Sequence, residues 1–246
     1  MIDLDNTYEN KYLSLCEIYV ASFFVIALLN YTIDKIYKKI YLIYDKRSSW
    51  NITSIIFFIF ISSYGIYYSY DVLIDYITNL LYFDIHLINI KLKLDFLNST
   101  PYFYNHLYIV SYLVSYFMYD LLFNKLNRDF IFHHIMILGS LVLYVLSEKY
   151  TFYVYILIMT EISSIFLTLT HLANNNIIKK IYIVLFVITF FLIRLCLVGI
   201  TLLIIFRFES YSDKVVLLPP YISIYLLNLY WFRLIVKKAY TDLFYR

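Results

Sequence analysis

Charge is what this sequence has least of. Asp, Glu, Lys and Arg make up 15% of its residues, where a globular domain needs about 25% to cover its surface. Hydrophobic residues reach 63%, and the mean hydropathy is +0.74. Such a chain cannot clothe itself in polar groups. That excludes an ordinary water-soluble domain and makes lipid its main solvent. Glycine and proline occur three times each, with no long low-complexity linker and no internal repeat, so the chain reads as one domain. Cysteine is confined to Cys16 and Cys196, both among apolar residues, where thiols pack rather than bridge. No CxxC spacing exists, and no metal site is expected. The start of the chain carries Asp3, Asp5 and Glu9 in place of the basic start of a secretory signal peptide. The first apolar helix is therefore expected to be retained as a signal anchor.

Aromatic residues are abundant, with 30 Tyr and 21 Phe. Ile, Tyr, Phe, Asn and Lys share AT-rich codons, so coding bias accounts for most of them, and no ligand stacking is read from their number.

Apolar runs of about 18 to 25 residues read as membrane-spanning helices. They fall at 16–33, 53–70, 102–123, 130–147, 151–172, 181–206 and 215–236. The expected fold is all-α: a polytopic transmembrane bundle of six to seven spans. The stretch 71–100 mixes apolar residues with Asp71, Asp75, Asp84, His86, Lys91, Lys93 and Asp95. Burying these charges would cost roughly 3 kcal/mol each, so a helix lying along the interface is expected there.

Basic residues orient the bundle. Lys35, Lys38, Lys39, Lys46, Arg47, Lys125, Arg128, Lys179, Lys180, Arg233, Lys237, Lys238 and Arg246 fall on one side. Lys11, Lys91, Lys93, Lys149, Arg207 and Lys214 fall on the other. The richer side is expected to be cytosolic, which puts the N-terminus in the lumen and the C-terminus in the cytosol. Of the 20 Lys and Arg, Arg194 alone falls in mid-span.

Ionisable groups inside a bilayer are expensive and face a cavity or each other. Six polar residues lie between the midplane and the cytosolic face: Asp120, His133, His134, Glu161, His171 and Arg194. Asp120 has a bland role open to it, pairing with Arg128 at the interface. Glu161 and Arg194 have another, as a structural ion pair. The adjacent histidines are harder to dismiss. Neighbours on a helix point about 100° apart, so one ring is expected to face a tunnel within reach of Glu161 or Asp120. The other is expected to hydrogen-bond a neighbouring helix. With a usual pKa of about 6.5, either histidine can exchange a proton at physiological pH.

The segments "SYLVSYFMYDLLF", "HH", "EISSIFLTLTHL", "FFLIRL" and "NLYWFRLIVKKAY" occur in this order. Their succession resembles the TLC domain (TRAM–Lag–CLN), found in ceramide synthases and other membrane proteins, over about residues 50 to 240. The resemblance implies endoplasmic-reticulum helices around a tunnel that admits a fatty acyl chain. With the orientation expected from the basic residues, the chain divides into a lumenal N-terminus (1–15), a signal-anchor helix with a basic cytosolic loop (16–49), the TLC domain (50–240) and a cytosolic tail (241–246). The resemblance casts His133, His134, Glu161 and Asp120 as catalytic candidates, and Arg194, Asn228, Trp231 and His171 as substrate-binding ones. No cofactor is implied, and acyl-CoA would enter as a substrate. The partners implied are membrane lipids and fatty acyl chains, with no nucleic acid and no protein partner specified.

The ceramide synthase signature after the histidines reads roughly H-D-x-S-D-x-x-L-E-x-x-K. Laid on Thr160 to His171, it finds Glu161 at the first Asp and a matching Ser163. Ser164 replaces the second Asp, Thr168 the Glu and His171 the Lys. Two of three acidic groups are missing, which argues against ceramide synthase activity. The sequence is more similar to the smaller TLC-domain proteins linked to phospholipid and sphingolipid homeostasis, although Phe57 stands where those often carry a histidine. Three functions follow as expectations. The first is acyl-chain binding in lipid homeostasis. The second is acyl transfer from acyl-CoA to an amine or hydroxyl lipid, with Arg194 holding an anionic headgroup or intermediate. The third is a cargo receptor or chaperone of the early secretory pathway. Lys237 and Lys238 lie too far from the end of the chain for the usual dilysine retrieval signal.

Overall fold

The computed structural model describes residues 4–40, 46–82, 100–147 and 149–244. These form seven helices and, among the described residues, no strand: α1 (Leu4–Ile40), α2 (Lys46–Tyr82), α3 (Thr100–Phe123), α4 (Arg128–Ser147), α5 (Thr151–Leu172), α6 (Asn176–Phe208) and α7 (Tyr211–Phe244). Six contain windows long and apolar enough to cross a membrane, and α3 contributes a shorter apolar stretch, Leu107–Phe123. Large apolar side chains such as Phe24, Leu146 and Phe206 point outward, while serines, threonines and ionisable groups are buried. That inversion is the pattern of a polytopic helical membrane protein.

Two expectations change in detail. The segment expected along the interface over 71–100 begins as an unbroken continuation of α2 to Tyr82. At 1.5 Å per residue, 37 residues span about 55 Å, well beyond a hydrocarbon core of about 30 Å. The apolar window of α2 is Trp50–Tyr68, so Asp71 and Asp75 lie past it along the axis and need no turn into the interface. Residues 83–99, with the Asn98 sequon, lie outside the described residues. Helix α1 likewise runs unbroken across position 16, from Leu4 to Ile40.

Helix α5 is the core of the bundle. Every residue from Thr151 to Met159 is buried, as befits a segment apolar on all sides. It packs closely on α2 where Gly65 sits. A Cβ there would come 3.1 Å from Ile158 Cγ2 and 3.3 Å from the Tyr155 carbonyl. Helix α1 is joined to its neighbours by polar contacts, the usual adhesive where lipid supplies no hydrophobic drive. Ser22 and Ser111 hydroxyls meet at 2.9 Å, Asn30 Nδ2 donates to Tyr119 Oη at 3.0 Å, and Thr53 Oγ1 donates to Asn30 Oδ1 at 3.1 Å. Beside them, Tyr116 stacks between Trp50 and Phe57, with centroids at 5.3 and 4.4 Å.

The connections are short and capped. Asn175 Oδ1 accepts from the Ile177 and Ile178 amides at the start of α6, and Ser210 Oγ accepts from the Asp213 amide at the start of α7. Two irregularities position the polar groups. The helical ladder of α5 is interrupted at Thr160, and Phe190–Leu197 of α6 is π-helical.

Candidate functional site

Both histidines lie in the first two turns of α4, and both are buried. Each finds a carboxylate on a different helix, as their angular separation requires. His134 Nε2 lies 2.7 Å from Asp120 Oδ2 on α3. A carboxylate accepts, so Nε2 carries the proton. Asn124 Nδ2 donates to the other oxygen of Asp120 at 2.9 Å. The aspartate is thus held from both sides, while Arg128 is exposed at the start of α4. His133 Nε2 faces Glu161 Oε1 on α5 at 4.0 Å, an ion-pair distance without a hydrogen bond. Its ring also packs edge-to-face with that of Trp231 on α7, with centroids at 5.2 Å.

Glu161 in turn faces Arg194. Their direct contact, Nη2 to Oε1, is 3.5 Å. Ser164 closes it: its hydroxyl donates to Glu161 Oε2 at 2.8 Å and accepts from Arg194 Nη2 at 2.9 Å. Arg194 Nε donates to Ser163 Oγ at 2.8 Å and to the Thr160 carbonyl at 3.1 Å. The interruption in α5 therefore falls where a carbonyl is needed for the guanidinium. The π-helical turn carries Arg194 itself, and its carbonyl accepts from Asn228 Nδ2 at 3.3 Å. π-helical turns concentrate at functional sites. With Glu161 3% and Arg194 4% exposed, neither charge has water to fall back on.

The structure thus gathers Asp120, His133, His134, Glu161, Arg194, Asn228 and Trp231 from α3, α4, α5, α6 and α7. His171 stands apart. It is exposed at the end of α5, ten residues and about 15 Å along the helix from Glu161. Ser163 and Ser164, legible in the sequence only as a match and a departure from an acidic signature, are the residues that hold Arg194 and Glu161. The Thr160 carbonyl left no sequence signal at all. The chemistry available is general acid–base exchange at imidazole, beside a buried ion pair that fixes one carboxylate.

A second polar cluster lies toward the opposite end of the bundle. Tyr150, in the α4–α5 connection with φ 70°, donates to Asp213 Oδ1 at 2.6 Å, and Tyr153 donates to Glu209. Burial first, and then the Asp213 carboxylate, push the Tyr150 phenol up, which keeps it the donor. Tyr221 donates to the Tyr153 carbonyl. Beneath these bonds a small apolar cavity of about 20 Å³ lies between α4, α5 and α7, with Tyr144, Leu157 and Leu217 among its walls.

Compared with known proteins, residues 51–237 match the family model described as the TLC domain. No curated protein and no solved structure matches the chain.

Proposed function

The chain belongs to the TLC domain family, and on that premise we propose that it is an endoplasmic-reticulum protein of lipid homeostasis that binds a fatty acyl chain within its helices. The observation that carries this reading is the buried constellation of two histidines, two carboxylates and Arg194. Such a set is too costly to keep in lipid without use. The small apolar cavity marks the direction that the tail of such an acyl chain would take. One of its walls, Ser140, is seven residues along α4 from His133, or about 10 Å. A chain whose polar end met His133 and whose tail ran toward that cavity would lie between α4, α5 and α7. The N-terminus is assigned to the lumen and the histidine end to the cytosolic side, from the distribution of basic residues.

A second reading is acyl transfer from acyl-CoA to an amine or hydroxyl lipid. It is favoured by the His134–Asp120 bond. A carboxylate that fixes the proton on Nε2 leaves on Nδ1 the lone pair that a general base or transient acyl acceptor needs. The test is untargeted lipidomics of cells lacking the protein, rescued by wild type or by the His133→Ala/His134→Ala variant. Acyl lipids should change on loss and return with wild type; no change in any acyl lipid class overturns both readings. Rescue by the double variant removes catalysis at this pair and leaves binding.

A further inference from the structure

Four buried side chains in the histidine cluster carry a polar atom without a hydrogen-bond partner among the described residues: His133 Nδ1, His134 Nδ1, Glu161 Oε1 and Asn228 Oδ1. An imidazole nitrogen donates or accepts according to tautomer. The other two are fixed. The Asn228 amide cannot be turned round, because its nitrogen faces the Arg194 carbonyl and a carbonyl only accepts. Its oxygen is therefore an acceptor without a donor, on a residue 1% exposed. Glu161 Oε2 takes the Ser164 hydroxyl, while Oε1 has only ion-pair neighbours, at 3.5 and 4.0 Å. Arg194 Nε and Nη2 bond Thr160, Ser163 and Ser164, and no donor among the described residues reaches Asn228 Oδ1.

Asn228 and Trp231 are three residues apart on α7 and so share a face, and Trp231 lies against His133. The unpaired oxygen of Asn228 thus belongs to the same side of the bundle as the histidine ring. A fatty carboxylate would bring a third anion beside Glu161 and Asp120, and an ester would bring acceptors alone. An alcohol, amine or amide brings the missing donor.

We infer that Asn228 is a specificity-determining residue, whose Oδ1 accepts a hydrogen bond from the headgroup of a donor-bearing lipid: an alcohol, an amine or an N-acyl amide. This rests on the acyl-binding reading and narrows it.

The experiment uses the full chain in lipid nanodiscs, with hexadecanol, hexadecanamide and methyl hexadecanoate as probes of equal chain length. Affinities are read from the shift of the unfolding midpoint across a titration. The alcohol and the amide should bind about tenfold more tightly than the ester, the worth of one buried hydrogen bond. In Asn228→Leu that preference should vanish through weaker alcohol and amide binding, with the ester unchanged. The wild-type ranking decides by itself if the variant does not fold. Equal binding of ester and alcohol, or a preference that survives in Asn228→Leu, overturns the assignment while acyl binding stands. Failure of all three probes to bind overturns the acyl-binding reading and this inference with it.

Discussion

Arg194 and Glu161, 33 positions apart in the sequence, are joined more closely through Ser164 than by their own contact. The direct distance is 3.5 Å, whereas the serine hydroxyl makes bonds of 2.9 and 2.8 Å to the two charged groups. A hydroxyl both accepts and donates, so one small side chain satisfies a guanidinium and a carboxylate together.

Removing one member of this buried pair leaves the other charge unanswered, at a cost of about 3–5 kcal/mol. Glu161→Gln and Arg194→Gln should each lower the thermal midpoint of the detergent-solubilised protein, and the double variant should recover part of the loss. Ser164→Ala should cost about 1–3 kcal/mol and weaken the coupling measured in that cycle. Strictly additive losses would show that the two charges do not interact.

His134 and Asp120 make the shortest bond of the site. Asp120→Ala strands a buried imidazole and should destabilise by about 1.5–3 kcal/mol, the range for a bond to a charged group. Asp120→Asn keeps an acceptor for Nε2 and should lose less. Equal loss in both would mean that the carboxylate serves only by its charge.

The sequon at Asn51 offers Thr53 as its third residue, and Thr53 is buried within α2 and bonded to Asn30. Asn51 stands at the start of α2, at the end of the bundle expected in the cytosol, and should remain unmodified. Asn98, beyond the described residues, is expected in the lumen and glycosylated, although Pro101 follows closely. Glycosidase treatment with mass analysis reads both sites, and modification at Asn51 would overturn the orientation.

The two helical glycines that face neighbours make a matched pair. A Cβ at Gly199 meets the Tyr225 ring at 3.5 Å, an ordinary contact. Gly199→Ala should therefore stabilise by about 0.5–1 kcal/mol through helix propensity. Gly65→Val must push α2 off α5 and should destabilise by about 1–3 kcal/mol. Thermal midpoints of both variants test the closeness of that helix pair.

Much of this was legible from the residues. Apolar runs located the spans because lipid forces backbone groups into helices, and the six ionisable residues within or at the ends of those runs were few enough to name. Five of them fall in the cluster. The sixth, His171, lies exposed at the end of α5, ten residues along the helix from Glu161. The segment after Asp71 was expected along the interface because its charges cannot be buried. Length allowed another solution, a helix that overshoots the bilayer. What the sequence hid were two backbone features, the Thr160 carbonyl that accepts from Arg194 and Ser163 and the π-helical turn, and one side-chain feature, the dual role of the Ser164 hydroxyl. These depend on which helix faces which, and local periodicity carries no record of it. Pro219 and Pro220 would ordinarily argue for a helix boundary, yet α7 runs through them.

The π-helical turn at Phe190–Leu197 also makes this helix sensitive to length rather than to chemistry. Such a turn accommodates one residue more than an α-helix would. Losing a single residue there would let the turn close to an α-helix, keeping the flanking turns in phase but moving Arg194 or its supporting neighbours about 100° round the axis and off the inner face. A bulky substitution at the outward-facing Leu192 would leave that phase intact. In this stretch a one-codon deletion is the more dangerous change, and natural variants should differ in side chain here far more readily than in number of residues.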